Sequence, residues 1–185
     1  MANNGEGKAL AMMEFKSIGR GMACTDRLLK DFPVELIFLR ILCPGKLLVA
    51  ITGEIAAIRS ALEVARSGDL TYIDDFFLGN PSPNLLSAMR GTTPVEQREA
   101  LAIVETFTAS QALLAADVAV KAAGVTLANL HIARGLAGKA HVFFTGSLGR
   151  VEVALEAIRE QLHRESLAEE AIIASPDGKT WAMVW

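Results

Sequence analysis

The chain has 185 residues, 51% hydrophobic and 21% charged, and its 18 Lys+Arg against 21 Asp+Glu leave a net charge of -3. The apolar content excludes a disordered chain, and the length suits one medium domain or two small ones. The acidic balance gives no clustered basic surface for nucleic acid, no apolar run nears the ~20 residues of a spanning helix, and two cysteines are too few for a disulfide scaffold.

Met1–Lys8 is polar, without a basic n-region or an apolar h-region, so a disordered tail on a soluble, cytoplasmic protein with reduced thiols is expected. Residues 9–15 are a short apolar run, a buried strand. Residues 17–31 space Ile18, Met22, Leu28 and Leu29 at helical intervals. Residues 33–42 read as a strand opening at Pro33, Cys43-Pro44-Gly45 as a turn, and 46–52 as the returning strand of a hairpin. An Ala-rich helix over 54–67 and a strand over 70–78 follow, then a turn at Asn80–Asn84 and a short apolar helix. Gly91–Pro94 is the expected linker. The order then recurs: strand 100–107, helix 109–123, strand 125–133, loop 134–138, strand 139–145, helix 147–163, strand 167–174 and a short tail.

The recurrence is visible residue by residue. Ala9-Leu10-Ala11 and Glu14 match Ala100-Leu101-Ala102 and Glu105. Asp26, Lys30, Val34, Leu36 and Leu39 match Asp117, Lys121, Val125, Leu127 and Leu130. The offset then grows by two residues, inside the loop of each hairpin. Beyond it, Gly45-Lys46, Val49 and Thr52-Gly53 match Gly138-Lys139, Val142 and Thr145-Gly146, and Ala61-Leu62-Glu63 and Arg66 match Ala154-Leu155-Glu156 and Arg159. Eighteen identities fall within residues 9–39 and 45–66, where chance would give about 4. The chain is therefore a duplication of a ferredoxin-like βαββαβ unit, an α+β fold with a mixed or antiparallel sheet and helices on one face.

The element order, the Asp26…Lys30 and Asp117…Lys121 spacing and the Gly-Lys hairpin turns resemble the bacterial microcompartment shell domain. Two such domains, over 9–91 and 99–185, resemble the tandem-domain shell proteins that form pseudo-hexameric trimers. Ile41-Leu42-Cys43-Pro44-Gly45-Lys46 resembles the pore loop of the trimeric shell proteins of propanediol-utilising compartments. That resemblance implies a structural, non-enzymatic tile in a microcompartment shell. It implies an iron–sulfur cluster, one [4Fe–4S] per homotrimer, with Cys43 as metal ligand and Pro44 and Gly45 shaping the loop. The implied roles are electron transfer across the shell and partnership with other shell proteins and an encapsulated redox enzyme. The implied site extends to Arg134, Gly135, Leu136, Ala137 and Gly138 as a pore rim and to Lys30 and Lys121 as tile-edge residues.

The residues themselves leave other readings open. Cys43 is one thiolate, and a [4Fe–4S] cluster takes four, so one chain cannot hold one alone. The axis is then either cluster-filled or an open metabolite pore. A small-ligand-binding regulatory protein with tandem ferredoxin-like domains shares the element order, and a thiol hydrolase using Cys43 is the enzymatic alternative. The 134–138 turn is either a pore rim or an ordinary hairpin turn. Cys24, matched by Ala115, reads as a small core residue. Glu14 and Glu105 read as backbone-bonding carboxylates, each without a second acid or base. His131, His141 and His163 have no His-x-x-x-His spacing, so a closed zinc site is not expected. Ser17–Gly21 lacks the phosphate-loop ending. Trp181 and Trp185 either pack on their own domain or dock on a neighbour.

Overall fold

A computed structural model of the chain describes residues 8–68, 71–89, 95–132, 139–182 and 184. The chain divides into two compact units, one ending at Pro81 and the other beginning at Ser82. The first contains β1 (Lys8–Phe15), α1 (Ile18–Asp31), β2 (Val34–Leu42), β3 (Lys46–Glu54), α2 (Ile55–Gly68) and β4 (Tyr72–Leu78). Its strands lie in the order β2-β3-β1-β4, each neighbour antiparallel. The second opens with α3 (Pro83–Met89) and continues with β5 (Ala100–Thr106), α4 (Ala109–Ala123), β6 (Thr126–Ile132), β7 (Ala140–Gly146), α5 (Leu148–Gln161), β8 (Leu167–Ile173) and α6 (Gly178–Ala182). Its order, β6-β7-β5-β8, is the same and again antiparallel. Among the described residues no helix is long and apolar enough to cross a membrane.

In the first unit the two-residue period of β1 sends Ala9, Ala11, Met13 and Phe15 to one face of the sheet. Val49 and Ile51 of β3 share that face with Leu28, Ile58, Ala61, Leu62 and Ala65 from the two helices. Ser17 caps α1 by accepting from the Arg20 amide, and Thr108 caps α4 by accepting from that of Gln111.

The buried stripe of α1 differs from the expected one. It runs through Gly21, Thr25 and Leu28, while Met22 and Leu29 are exposed. The reason is close approach: a Cβ at Gly21 would lie 2.8 Å from Leu47 Cδ2 and 2.9 Å from Phe15 Cγ. Only glycine lets the helix sit that near the sheet. Thr25 satisfies its buried hydroxyl by donating to the Gly21 carbonyl at 2.7 Å.

Helix α3, within the range 9–91 read as the first domain, packs instead on β6 and α4 of the second unit. Ser82, just before it, donates its amide to the buried Asp117 carboxylate at 2.7 Å. Trp181 packs on its own unit. With Val184 it covers Leu101 and Ala128 on the sheet face away from α4 and α5, and Asn129 Nδ2 pins the tail by donating to the Val184 carbonyl at 2.6 Å.

Most polar identities of the repeat are structural ties. Thr52 and Thr145 donate their hydroxyls to Ala9 and Ala100, the matching strand carbonyls, at 2.8 and 2.9 Å. Arg66 donates twice to Asp75, at 2.6 Å each, fastening the end of α2 to β4. Arg159 does the same for α5 and β8 through Glu170, its Nε at 2.8 Å. Asp75 also accepts from the Tyr72 hydroxyl.

The Arg66 hydrogen bonds hold the Asp75 carboxyl below the usual range, against the opposing effect of burial. A depressed folded-state pKa stabilises the fold above the unfolded carboxylate value and is lost as pH falls through the folded value. Asp75→Asn is therefore expected to lower the melting temperature at neutral pH, with a deficit that shrinks below about pH 4. Melting curves across pH check this; a deficit independent of pH contradicts it.

Candidate functional site

The two hairpins are tied alike and end differently. In the first, Leu42 pairs with Lys46 as the last rung, leaving Cys43-Pro44-Gly45 as the apex. The Cys43–Pro44 peptide is cis, and the Gly45 amide donates to the Leu42 carbonyl at 2.8 Å, the pattern of a type VI turn. Gly45 has φ +91°, a conformation open mainly to glycine, and no neighbour crowds it. This turn leaves the Cys43 thiol exposed. At its base the Lys46 ammonium meets the Glu14 carboxylate of β1 at 2.6 Å, partly buried. The apex thus stands on a strand end fixed to the neighbouring strand.

The second hairpin repeats the tie, Lys139 to Glu105 at 3.7 Å. Glu14 and Glu105 therefore bind the hairpin lysines through their side chains, rather than bonding backbone as expected. The apex itself, with Arg134, Gly135, Leu136, Ala137 and Gly138, lies outside the described residues.

Lys30 and Lys121 sit in the last turns of α1 and α4, each bonded at 2.6 Å to the aspartate one turn earlier. Their surroundings differ. Lys30 and Asp26 are 71% and 63% exposed, whereas Asp117 is only 4% exposed beneath Lys121. Cys24 packs against the edge of the first unit's core without being fully enclosed by it. It is half-buried beside α2, lining a cleft of about 270 Å³ with Arg20, Arg27 and Val64. Its counterpart Ala115 is fully buried because α4 and α5 pack closely in the second unit. The two thiols of one chain therefore stand on different elements. Among the described residues no three His, Cys, Asp or Glu side chains gather as a metal site.

One grouping escaped the sequence reading. His131 and His141 are direct partners in the β6–β7 ladder, their rings stacked 5.2 Å apart, and His141 stacks on Phe143 at 4.7 Å. The ten-residue separation hid the pair, since only the hairpin register brings the rings together. The register was readable from the expected strands: two strands folding about the 134–138 loop place 131 opposite 141.

The same pattern of elements occurs in known proteins. The sequence pattern of the BMC domain matches residues 9–81 and again residues 100–176. The chain belongs to the BMC domain family, with two copies in tandem. It is 33% identical over 177 residues to the bacterial microcompartment shell protein PduT of Citrobacter freundii, covering 94% of this chain and 96% of that one. It superposes with a TM-score of 0.88 on the crystal structure of a microcompartments protein from Desulfitobacterium hafniense DCB, at 33% identity over 93% of this chain and 97% of that one. A fused permuted hexameric shell protein, MSM0275 of the RMM microcompartment, shares the fold with a TM-score of 0.59 at 21% identity, covering 86% of each chain. BMC domains build shells and are structural rather than catalytic.

Proposed function

We propose that this BMC-domain shell protein is a homotrimeric wall tile in which Cys43 of three chains meets on the central axis and holds one iron–sulfur cluster. The observation that carries the reading is the exposed thiol of Cys43, on a tight turn at the point where the two halves lose their repeat. The donor set suits a cluster shared between chains: three thiolates hold three of the four irons, and the fourth iron takes a non-protein ligand or stays open. A cluster iron takes a thiolate, each chain presents one on an exposed apex, and three copies of one chain related by rotation bring three together. Gly45 carries no side chain to crowd that meeting, and the Glu14–Lys46 tie fixes the apex to the sheet. When bound, a [4Fe–4S] cluster supplies a one-electron redox couple, and electron transfer across the shell is the role it serves here. Protein purified without oxygen is expected to show a broad thiolate-to-iron band in the visible and an EPR signal on reduction. A colourless protein with neither would leave an open metabolite pore at the axis.

Lys30 is the tile-edge residue the geometry favours. It is highly exposed and follows the exposed apolar Leu29, so neighbouring tiles can reach both. Lys121 lies over a buried carboxylate and is tied to its own unit. Lys30→Ala is expected to change stability by no more than about 0.5 kcal/mol and to prevent sheets seen by electron microscopy. Lys121→Ala leaves the buried Asp117 without its ion pair and is expected to cost about 1–3 kcal/mol. Normal sheets from Lys30→Ala would remove the edge assignment.

A further inference from the structure

We propose that His131 and His141 form a second metal site, a two-nitrogen chelate for a borderline divalent cation such as zinc. It is separate from Cys43 and does not depend on the cluster. The pair belongs to one row across the second sheet: His131 pairs with His141, His141 with Glu105, and Glu105 with Glu169. Directly paired residues point to the same face. This is the face that Trp181 and Val184 cover at its other end, near Leu101 and Ala128. His131, His141 and Glu105 are half-buried and Glu169 is exposed, with Phe143 as the wall between the tail and His141.

The spacing matches a shared ion. With ion–nitrogen bonds of ~2.1 Å and about 1.1 Å more to each ring centre, a tetrahedral angle sets two imidazole centres roughly 5 Å apart. The backbone already holds them at 5.2 Å. The rings lie nearly parallel, 11° between planes, so each must swivel about its Cβ–Cγ bond to aim a nitrogen at the ion. Each ring gives one nitrogen, and its second nitrogen remains for a hydrogen bond. The Glu105 carboxylate opposite His141 counters the positive charge of Lys139, 3.7 Å from it. With no third ligand already converged among the described residues, water completes the coordination, and the ion exchanges readily.

The test is calorimetric titration with zinc chloride at pH 7.5, using untagged full-length protein carrying Cys24→Ser and Cys43→Ser so that thiols do not compete. One ion per chain is expected. His131→Ala and His141→Ala are each expected to weaken binding at least about tenfold, with His163→Ala unchanged. The conservative pair His131→Asn and His141→Asn, verified as folded by its melting curve, is expected to lose binding as fully as the alanine variants. Unchanged affinity in the folded histidine variants, or no saturable uptake in the starting protein, would overturn the assignment.

Discussion

Replacing Cys43 with serine is expected to remove all of the cluster iron and acid-labile sulfide while leaving the fold as it is. Iron–sulfur clusters are held by thiolates, and a serine hydroxyl is a far harder, more basic ligand. The side chain is exposed on the turn. Its loss should therefore move stability by less than about 0.5 kcal/mol. The visible band and the EPR signal should disappear together, with trimer mass and melting temperature unchanged. Cys24→Ser is the internal control. That thiol is half-buried beside α2, so its replacement should leave the iron content as in the wild type. Full iron loading in Cys43→Ser, or loss of iron in Cys24→Ser alone, would place the cluster elsewhere.

Phe15→Ala is expected to cost about 3–5 kcal/mol, a large part of the stability of an ordinary domain. Phe15 is fully buried at the end of β1 and stacks edge-on against Tyr72, with ring centres 5.5 Å apart at 86°. The helix α1 rests on it at Gly21, the place where no side chain fits. Removing the ring leaves a cavity between α1, β1 and β4 that glycine on one side and a tied tyrosine on the other do little to fill. Tyr72 is held by its bond to Asp75, and Asp75 by Arg66, so collapse into the cavity would break those ties. Urea unfolding measures the effect. A loss below about 1 kcal/mol would mean that the site closes on itself and that Phe15 does not brace the helix.

Much of the fold was legible because the chain states it twice. The identities at Glu14/Glu105 and Lys46/Lys139 turn out to be partners of one another, as do Asp26 and Lys30 and their copies. Selection for a tie keeps both ends, so polar identity between halves marked internal bonds rather than shared chemistry. The proposed site drew notice for the opposite reason. The halves part at the hairpin apices, where one carries Cys43-Pro44-Gly45 and the other a longer loop.

What was missed lacked a local signal. The buried stripe of α1 holds the expected Leu28 but otherwise runs through glycine and threonine, which carry little hydropathy, so the exposed Met22 and Leu29 drew the rest of the helix face the wrong way. The attachment of α3 to β6 and α4 is a tertiary choice that its short apolar pattern does not encode. The His131–His141 pair depends on strand register, which no spacing rule for a single segment reports.

Native mass spectrometry of the wild-type protein, kept anaerobic throughout, tests the shared cluster at the apex most directly. The predicted result is a single species of three chains carrying one cluster, with no cluster on monomers. A trimer without iron after anaerobic reconstitution, or iron bound in proportion to single chains, would contradict it.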